Sequence, residues 1–231
     1  VFVGEGSSTH AAQLVMMAFK RDRGKPRPSV NAAAASSVGH SLIPKKGDWF
    51  FGISHRGTTE STRRALELAR NRGAFTALVC SEEAAVGAME RWGVDLAIPT
   101  CPQETIEPHS VSLTSAVCAL TAMLGGREFE EAWHEVVERA NSLLNGGRAD
   151  EFDSPTVIVG EWEAEWLARE ASLKLLELRQ WATRTYRTEE YFHGPRASLG
   201  EKDRLWWIRF GADARAADLG AFKNVRELSL E

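Results

Sequence analysis

Residues 48–80 read DWFFGISHRGTTESTRRALELARNRGAFTALVC, and their order decides the fold class. Asp48–Ser54 is an apolar run of strand length, suited to burial inside a sheet. HRGTT breaks that run, and TESTRRALELARNR, Thr59–Arg72, follows as a helix, with Thr58 or Thr59 able to cap it. Phe75–Cys80, FTALVC, then restores a strand. Strand, turn, helix and strand within so short a span predict a parallel, doubly wound α/β sheet.

Working outward, the same unit recurs on both sides. Val1–Val3 is a short strand that runs into Gly4 and Gly6, with Ser7 or Ser8 placed to cap a helix through AAQLVMMAF. Asp95–Ile98 supplies a fourth strand. A helix through SVSLTSAVCALTAML stops at Gly125 and Gly126, and an amphipathic helix is expected over 128–144, with Phe129, Trp133, Val136, Val137, Ala140 and Leu144 at core spacing. NGGRADEFDSP, 145–155, reads as a linker. The second half restarts with Val157-Ile-Val-Gly-Glu-Trp against Val1-Phe-Val-Gly-Glu-Gly, a weak internal repeat whose second copy has Trp162, Glu163 and Ala164 where the first has Gly6, Ser7 and Ser8. LWWIRF and VRELSL are expected strands beyond it, with a short helix over 212–222 between them. The expected organisation is a first α/β domain over 1–126, a connecting helix and linker over 127–155, and a second, shortened one over 156–231.

Two loops and one helix stripe carry the chemistry. Gly4-Glu5-Gly6-Ser7-Ser8 follows a strand and opens a helix, so its backbone N–H groups and hydroxyls can cradle an anion. Ser54-His55-Arg56-Gly57-Thr58-Thr59 occupies the same position after another strand, where α/β sheets bind ligands. Each loop could instead serve only to cap its helix. In EASLKLLELRQWATRTYRTEEYFHGP, 170–195, helical intervals of four and three put Glu170, Lys174 and Glu177 on one stripe. Such a stripe can also be a solvated row of ion pairs. Leu167, Leu173, Leu175, Leu176, Leu178 and Trp181 cover much of the remaining circumference, so the helix is expected to be largely buried and its charges to face a cleft. Trp206 and Trp207 read as strand core.

Composition excludes several classes. A chain of 231 residues, 43% of them hydrophobic, has material for one large core or two small ones. A net charge of −4 without a basic stripe argues against nucleic acid as a partner. Cys80, Cys101 and Cys118 are odd in number and form no CxxC, which predicts a reducing compartment with neither zinc site nor disulfide framework. No apolar run approaches the roughly 18 residues of a membrane span, and no signal peptide opens the sequence. A cytoplasmic location is expected, with no membrane partner. Residue 1 is Val within an expected strand, so the chain is expected to be a fragment or to lack a leader segment.

Taken together these motifs resemble the sugar isomerase (SIS) domain family, in particular the double-SIS isomerase part of glucosamine-6-phosphate synthase and related phosphosugar isomerases and deaminases. GEGSS and SHRGTTES resemble the family's Gly-Thr-Ser and Ser-x-Ser-Gly-x-Thr phosphate loops. REASLKLLE resembles its Glu-Gly-Ala-Leu-Lys-Leu-x-Glu helix, and EEYFHGP its Glu-Leu-x-His-Gly-Pro motif. The resemblance spans nearly the whole chain and implies two doubly wound, flavodoxin-like SIS units, the second abbreviated. It implies that Gly6, Ser7, Ser8 and the loop Ser54, His55, Arg56, Gly57, Thr58 and Thr59 hold a substrate phosphate. Glu177 would move a proton between C1 and C2 of an open-chain hexose or aminohexose 6-phosphate. Lys174 would steady the enediolate oxygen, Glu170 would orient Lys174, and His193 would assist ring opening from a neighbouring subunit. That chemistry is coherent, because a proton next to a carbonyl needs a carboxylate in reach and a positive charge where the oxyanion forms. No metal or organic cofactor is implied, and a homodimer with shared sites is.

Departures from the pattern leave the substrate open. Arg56 stands where the family loop has a small residue, and it could add a phosphate contact or block the usual pose. ETIEPHSVSLT, 104–114, replaces a Val-Ala-Ser-Thr-Lys type run, which puts His109, a candidate sugar contact, and Val111 in place of a small residue and a lysine. The family's C-terminal lysine segment has no counterpart. With no glutaminase domain ahead of Val1, ammonia release from glutamine is not expected. Two classes remain: a phosphosugar isomerase or deaminase, and a non-catalytic sensor of sugar phosphates.

Overall fold

The computed structural model of the chain describes residues 1–21, 29–125, 138, 155–162, 164–200, 202–209 and 225–229. The chain divides into two compact units, 1–141 and 142–231. The sheet of the first unit consists of β1 Phe2–Gly4, β2 Ala32–Ala34, β3 Trp49–Ile53, β4 Phe75–Cys80 and β5 Leu96–Pro99. All its pairs are parallel, in the order β2-β1-β3-β4-β5. This is the flavodoxin-like order. The helices are α1 Ser7–Arg21, α2 Glu60–Asn71, the short α3 Glu82–Ala85 and α4 Ala88–Trp92, and α5 Val111–Gly125.

Successive strand residues point to opposite faces, and both faces are covered, which is why the strands read as unbroken apolar runs. Val3, Phe50 and Leu78 pack with Leu66 and Ala69 of α2. Phe2, Phe51 and Val79 pack on the other face with Ala11 and Val15 of α1 and Leu120 of α5. The β1–β3 register sets Phe2 opposite Phe51, and the two rings stack at 5.0 Å.

The second unit has β6 Val157–Gly160, β7 Arg184–Arg187, β8 Leu205–Arg209 and β9 Val225–Ser229, in the order β7-β6-β8-β9 and all parallel. Counted from its own first strand this is 2-1-3-4 among the described residues, the order of the first four strands of the first sheet. Helix α6, Ala164–Arg179, contributes Ala164 and Ala168 to one face, with Ile158, Trp206 and Ile208. Helix α7, Thr188–Phe192, brings Tyr191 and Phe192 to the other, with Val157, Val159 and Trp207. Trp206 and Trp207 are core, as expected.

The repeat is visible in the backbone as well as in the sequence. A Cβ on Gly4 would lie 2.5 Å from Ser8 Cβ, and one on Gly160 would lie 2.3 Å from the Ala164 carbonyl oxygen. In both units the first helix turn rests directly on the last residue of the first strand, an approach only glycine allows.

One expectation fails. Only the first half of α6 is buried: Ala164, Glu165, Ala168 and Glu170 are, whereas Leu176 and Leu178 are 48% and 61% exposed. A helix of 16 residues is about 24 Å long, whereas strands of four or five residues run about 13–17 Å. The helix therefore outruns its sheet. Apart from residue 138, the helices expected over 128–144 and 212–222, and nearly all of the linker, lie outside the described residues. No helix among the described residues is long and apolar enough to cross a membrane.

Candidate functional site

In the first unit the chain leaves β1 towards β2 and β3 towards β4, so the connections from these two neighbouring strands run in opposite directions at their carboxyl ends. Such switch points are where doubly wound sheets open a crevice for ligands. The loops after β1 and β3 both lie there. Ser7, Ser8 and His55 line a small cleft together with Thr100, Ser112 and Cys80. Burial pushes the Cys80 thiol up to about 11, so it is no nucleophile at neutral pH. Ser54 is buried, donates its hydroxyl to Thr59 Oγ1 at 3.0 Å and accepts from the Thr59 amide at 3.4 Å. That pairing closes the loop over Gly57, whose amide donates to the Ser54 carbonyl. Thr58 is exposed. A larger hollow, lined by Phe19, Val30, Ile43 and Trp49 among others, lies at the amino ends of the strands, away from these loops.

His55 has a defined tautomer. The Glu104 amide donates to its Nε2 at 2.8 Å, so the proton sits on Nδ1, which is buried and has no partner among the described residues. Burial, followed by the neighbouring His109, lowers the His55 pKa, and Arg56 adds to the effect. A neutral ring with one N–H donor is the state at neutral pH.

Arg56 turns from the loop to the segment before α5. Its Nη2 lies 3.1 Å from His109 Nε2 and 3.4 Å from Glu107 Oε1. The His55 and His109 rings meet edge to face at 5.4 Å. The structure therefore joins the loop residues to His109 through Arg56 and His55. Behind them Glu104 caps α5: its carboxylate accepts from the amides of Ser112 at 2.7 Å, Val111 at 3.1 Å and Ser110 at 3.2 Å. Burial opposes this charge, but the bonds from Ser112, Val111 and Ser110 hold its pKa below the ordinary value. A group whose pKa falls on folding stabilises above its ordinary pKa and loses that contribution as pH drops through the folded value. Glu104→Gln is expected to cost about 1 kcal/mol at pH 7, with the difference closing below about pH 4. Urea unfolding of both proteins at pH 7 and pH 3 measures it.

In the second unit the stripe on α6 forms as read. Lys174 Nζ stands 3.3 Å from Glu170 Oε1 and 2.9 Å from Glu177 Oε2. Glu170 is buried and Glu177 is the open end of the line, with 30% of its side chain exposed. Burial works against the ammonium, yet the hydrogen bond to Glu177 and the charges of both carboxylates hold the Lys174 pKa above that of an ordinary lysine. His193 is on a different element: it is exposed and ends α7, its amide donating to the carbonyls of Glu189 and Glu190.

Sequence reasoning missed Thr100, Ser112 and Glu104, whose roles depend on contacts between separate loops. It also missed Glu165, a buried carboxylate in the first turn of α6, although the Glu165–Arg169 spacing was a signal. Among the described residues no group of three or more His, Cys, Asp or Glu side chains could hold a metal ion.

No curated protein sequence matches the chain. Among solved structures it is similar to glucosamine-6-phosphate deaminase from Thermotoga maritima, at 20% identity and a TM-score of 0.72, covering 100% of this chain and 75% of that one. It is also similar to tagatose-6-phosphate ketose/aldose isomerase from Escherichia coli, at 16% identity and a TM-score of 0.75, covering 99% and 69%. The SIS domain model matches residues 1–124, the unit that carries both glycine–hydroxyl loops, and the chain belongs to the SIS domain family.

Proposed function

We propose that this protein binds a hexose or aminohexose 6-phosphate and transfers a proton between C1 and C2 of its open-chain form, as an aldose–ketose isomerase or a deaminase. The observation that carries the reading is Lys174 held between Glu170 and Glu177. With its pKa raised, Lys174 is a permanent cation at physiological pH, suited to an enediolate oxygen and unsuited to attack as a free amine. Glu170, buried, orients it. Glu177, more open, is the base, and His193 assists ring opening. In the first unit Gly6, Ser7, Ser8 and the loop 54–59 hold the phosphate. The named activities of the two similar structures, both on hexose 6-phosphates, support this substrate class. The reading takes the protein to be a cytoplasmic homodimer with shared sites, which agrees with three free cysteines and the family resemblance.

The test is proton NMR of fructose 6-phosphate and of glucosamine 6-phosphate in D2O with the intact protein. Deuterium entering C1 or C2 is expected. Phosphorus resonances that shift on binding, without any exchange, would replace the enzyme by a sensor of sugar phosphates. Neither effect with either sugar would overturn the substrate class.

A further inference from the structure

The first turn of α6 holds a carboxylate that the proposed proton transfer does not use. Glu165 is 2% exposed, and a buried carboxylate keeps its charge only where its oxygens are hydrogen-bonded and paired. Guanidiniums from two different elements fill them. Oε1 accepts from Arg169 Nε at 2.9 Å and lies 2.9 Å from its Nη2. Arg169 is itself held over the Trp166 ring at 5.3 Å. Oε2 accepts from Arg187 Nε.

Arg187 is the last residue of β7 and the N-cap of α7. Among the described residues β7 is an edge strand, paired only with β6, so no described ladder holds its other side. Its beginning is fastened by Arg184, which bonds Asp203 at 3.1 Å and Ser198 at 3.1 Å. Its end is fastened by Arg187 on Glu165. Helix α7 has five residues, too few to hold its own geometry, and it ends at His193. By the repeat, Glu165 falls where the first unit has Thr9, whose hydroxyl stays on its own unit's Gly4 carbonyl at 2.7 Å. The second unit thus carries a long-range ion pair where the first has a local turn bond.

We infer that Glu165 is a positioning residue: through Arg187 it sets the start of α7, and with it the placement of His193 at the helix's end. The functional meaning rests on the role proposed for His193; the tether itself does not.

The test is amide hydrogen exchange and imidazole NMR on the full chain, comparing wild type with Glu165→Gln and Arg187→Gln. In each variant the Phe192 and His193 amides are expected to exchange about tenfold faster or more. The His193 ring resonances should move, while the Ile158 and Val159 amides of β6 keep their protection. The double variant should lose no more than either single one, because both remove the same contact. Uniform loss of protection across the second unit would make Glu165 a mere contributor to stability and overturn the inference, and so would unchanged exchange at α7. If Glu165→Gln does not fold, Arg187→Gln, cut from the exposed side of the pair, decides alone. Where the wild type washes deuterium into a sugar phosphate, the variants should lower kcat and leave KM. Where it does not, the proposed function fails and the exchange pattern still decides the tether.

Discussion

Glu177→Gln is expected to slow deuterium incorporation into fructose 6-phosphate by about 10²- to 10⁴-fold, the usual worth of a positioned general base. The substitution preserves shape and an oxygen that can still accept from Lys174, 2.9 Å away in the wild type, so the helix and the cation should stay in place. What disappears is the ability to take a proton. The groups proposed to hold the phosphate do not include Glu177, so KM for the sugar phosphate should move little while kcat collapses, the signature of an interaction made only in the transition state. Lys174→Met should be as severe through a different cause. It removes the charge proposed to face the oxyanion and takes Lys174 away from the buried Glu170, so its circular dichroism and unfolding midpoint must be measured alongside the rate. The raised pKa of Lys174 adds a pH constraint. Its charge persists past the ordinary lysine value of 10.5, so a loss of rate between pH 8 and pH 10 would have to come from another group. Wild-type exchange rates in Glu177→Gln would move the base elsewhere and leave the α6 line a structural ion-pair row.

The parts of this molecule legible in the sequence are those where residue type and local period suffice. β3 and β4 are apolar runs buried on both faces, and α2 sits between them, so Asp48–Cys80 already contained the parallel sheet. The Glu170–Lys174–Glu177 line was legible for the same reason, since helical spacing turns sequence distance into contact. β2 and β7 were not anticipated. Ala32–Ala34 has little strand preference, and Arg184-Thr-Tyr-Arg187 is a polar edge strand whose membership is decided by pairing with β6. Leu176 and Leu178 misled because their type suggests burial, while the length of the sheet beneath them sets it. The tautomer of His55, the Arg56–His109 contact and the Glu165–Arg187 pair were out of reach. Each joins residues 22 to 53 positions apart, and no local pattern encodes which loop folds back on which.

Gly160→Ala is expected to destabilise the second unit by about 2–4 kcal/mol, and Gly4→Ala the first by as much, the upper range for forcing atoms into packed space. At Gly160 the new methyl would meet the Ala164 carbonyl oxygen at 2.3 Å and the Glu165 amide at 2.5 Å; at Gly4 it would meet Ser8 Cβ at 2.5 Å and the Ser8 carbonyl carbon at 2.6 Å. These are backbone or near-backbone atoms of a helix's first turn, so no rotamer change relieves the clash and the helix must lift from the strand. The consequences beyond stability differ. Lifting α1 displaces Ser7 and Ser8 from the cleft they line, so Gly4→Ala should also weaken sugar-phosphate binding in proportion to that displacement. Lifting α6 pulls Glu165 from Arg187, so Gly160→Ala should release α7 as Glu165→Gln does. Calorimetry paired with exchange at β3 and β8 amides separates the two units, since each variant should lower protection in its own sheet first. A neutral Gly160→Ala beside a damaging Gly4→Ala would mean that α6 can rise off its sheet at little cost. The shared glycine would then be a likeness of sequence, and the packing of the two units would rest on different contacts.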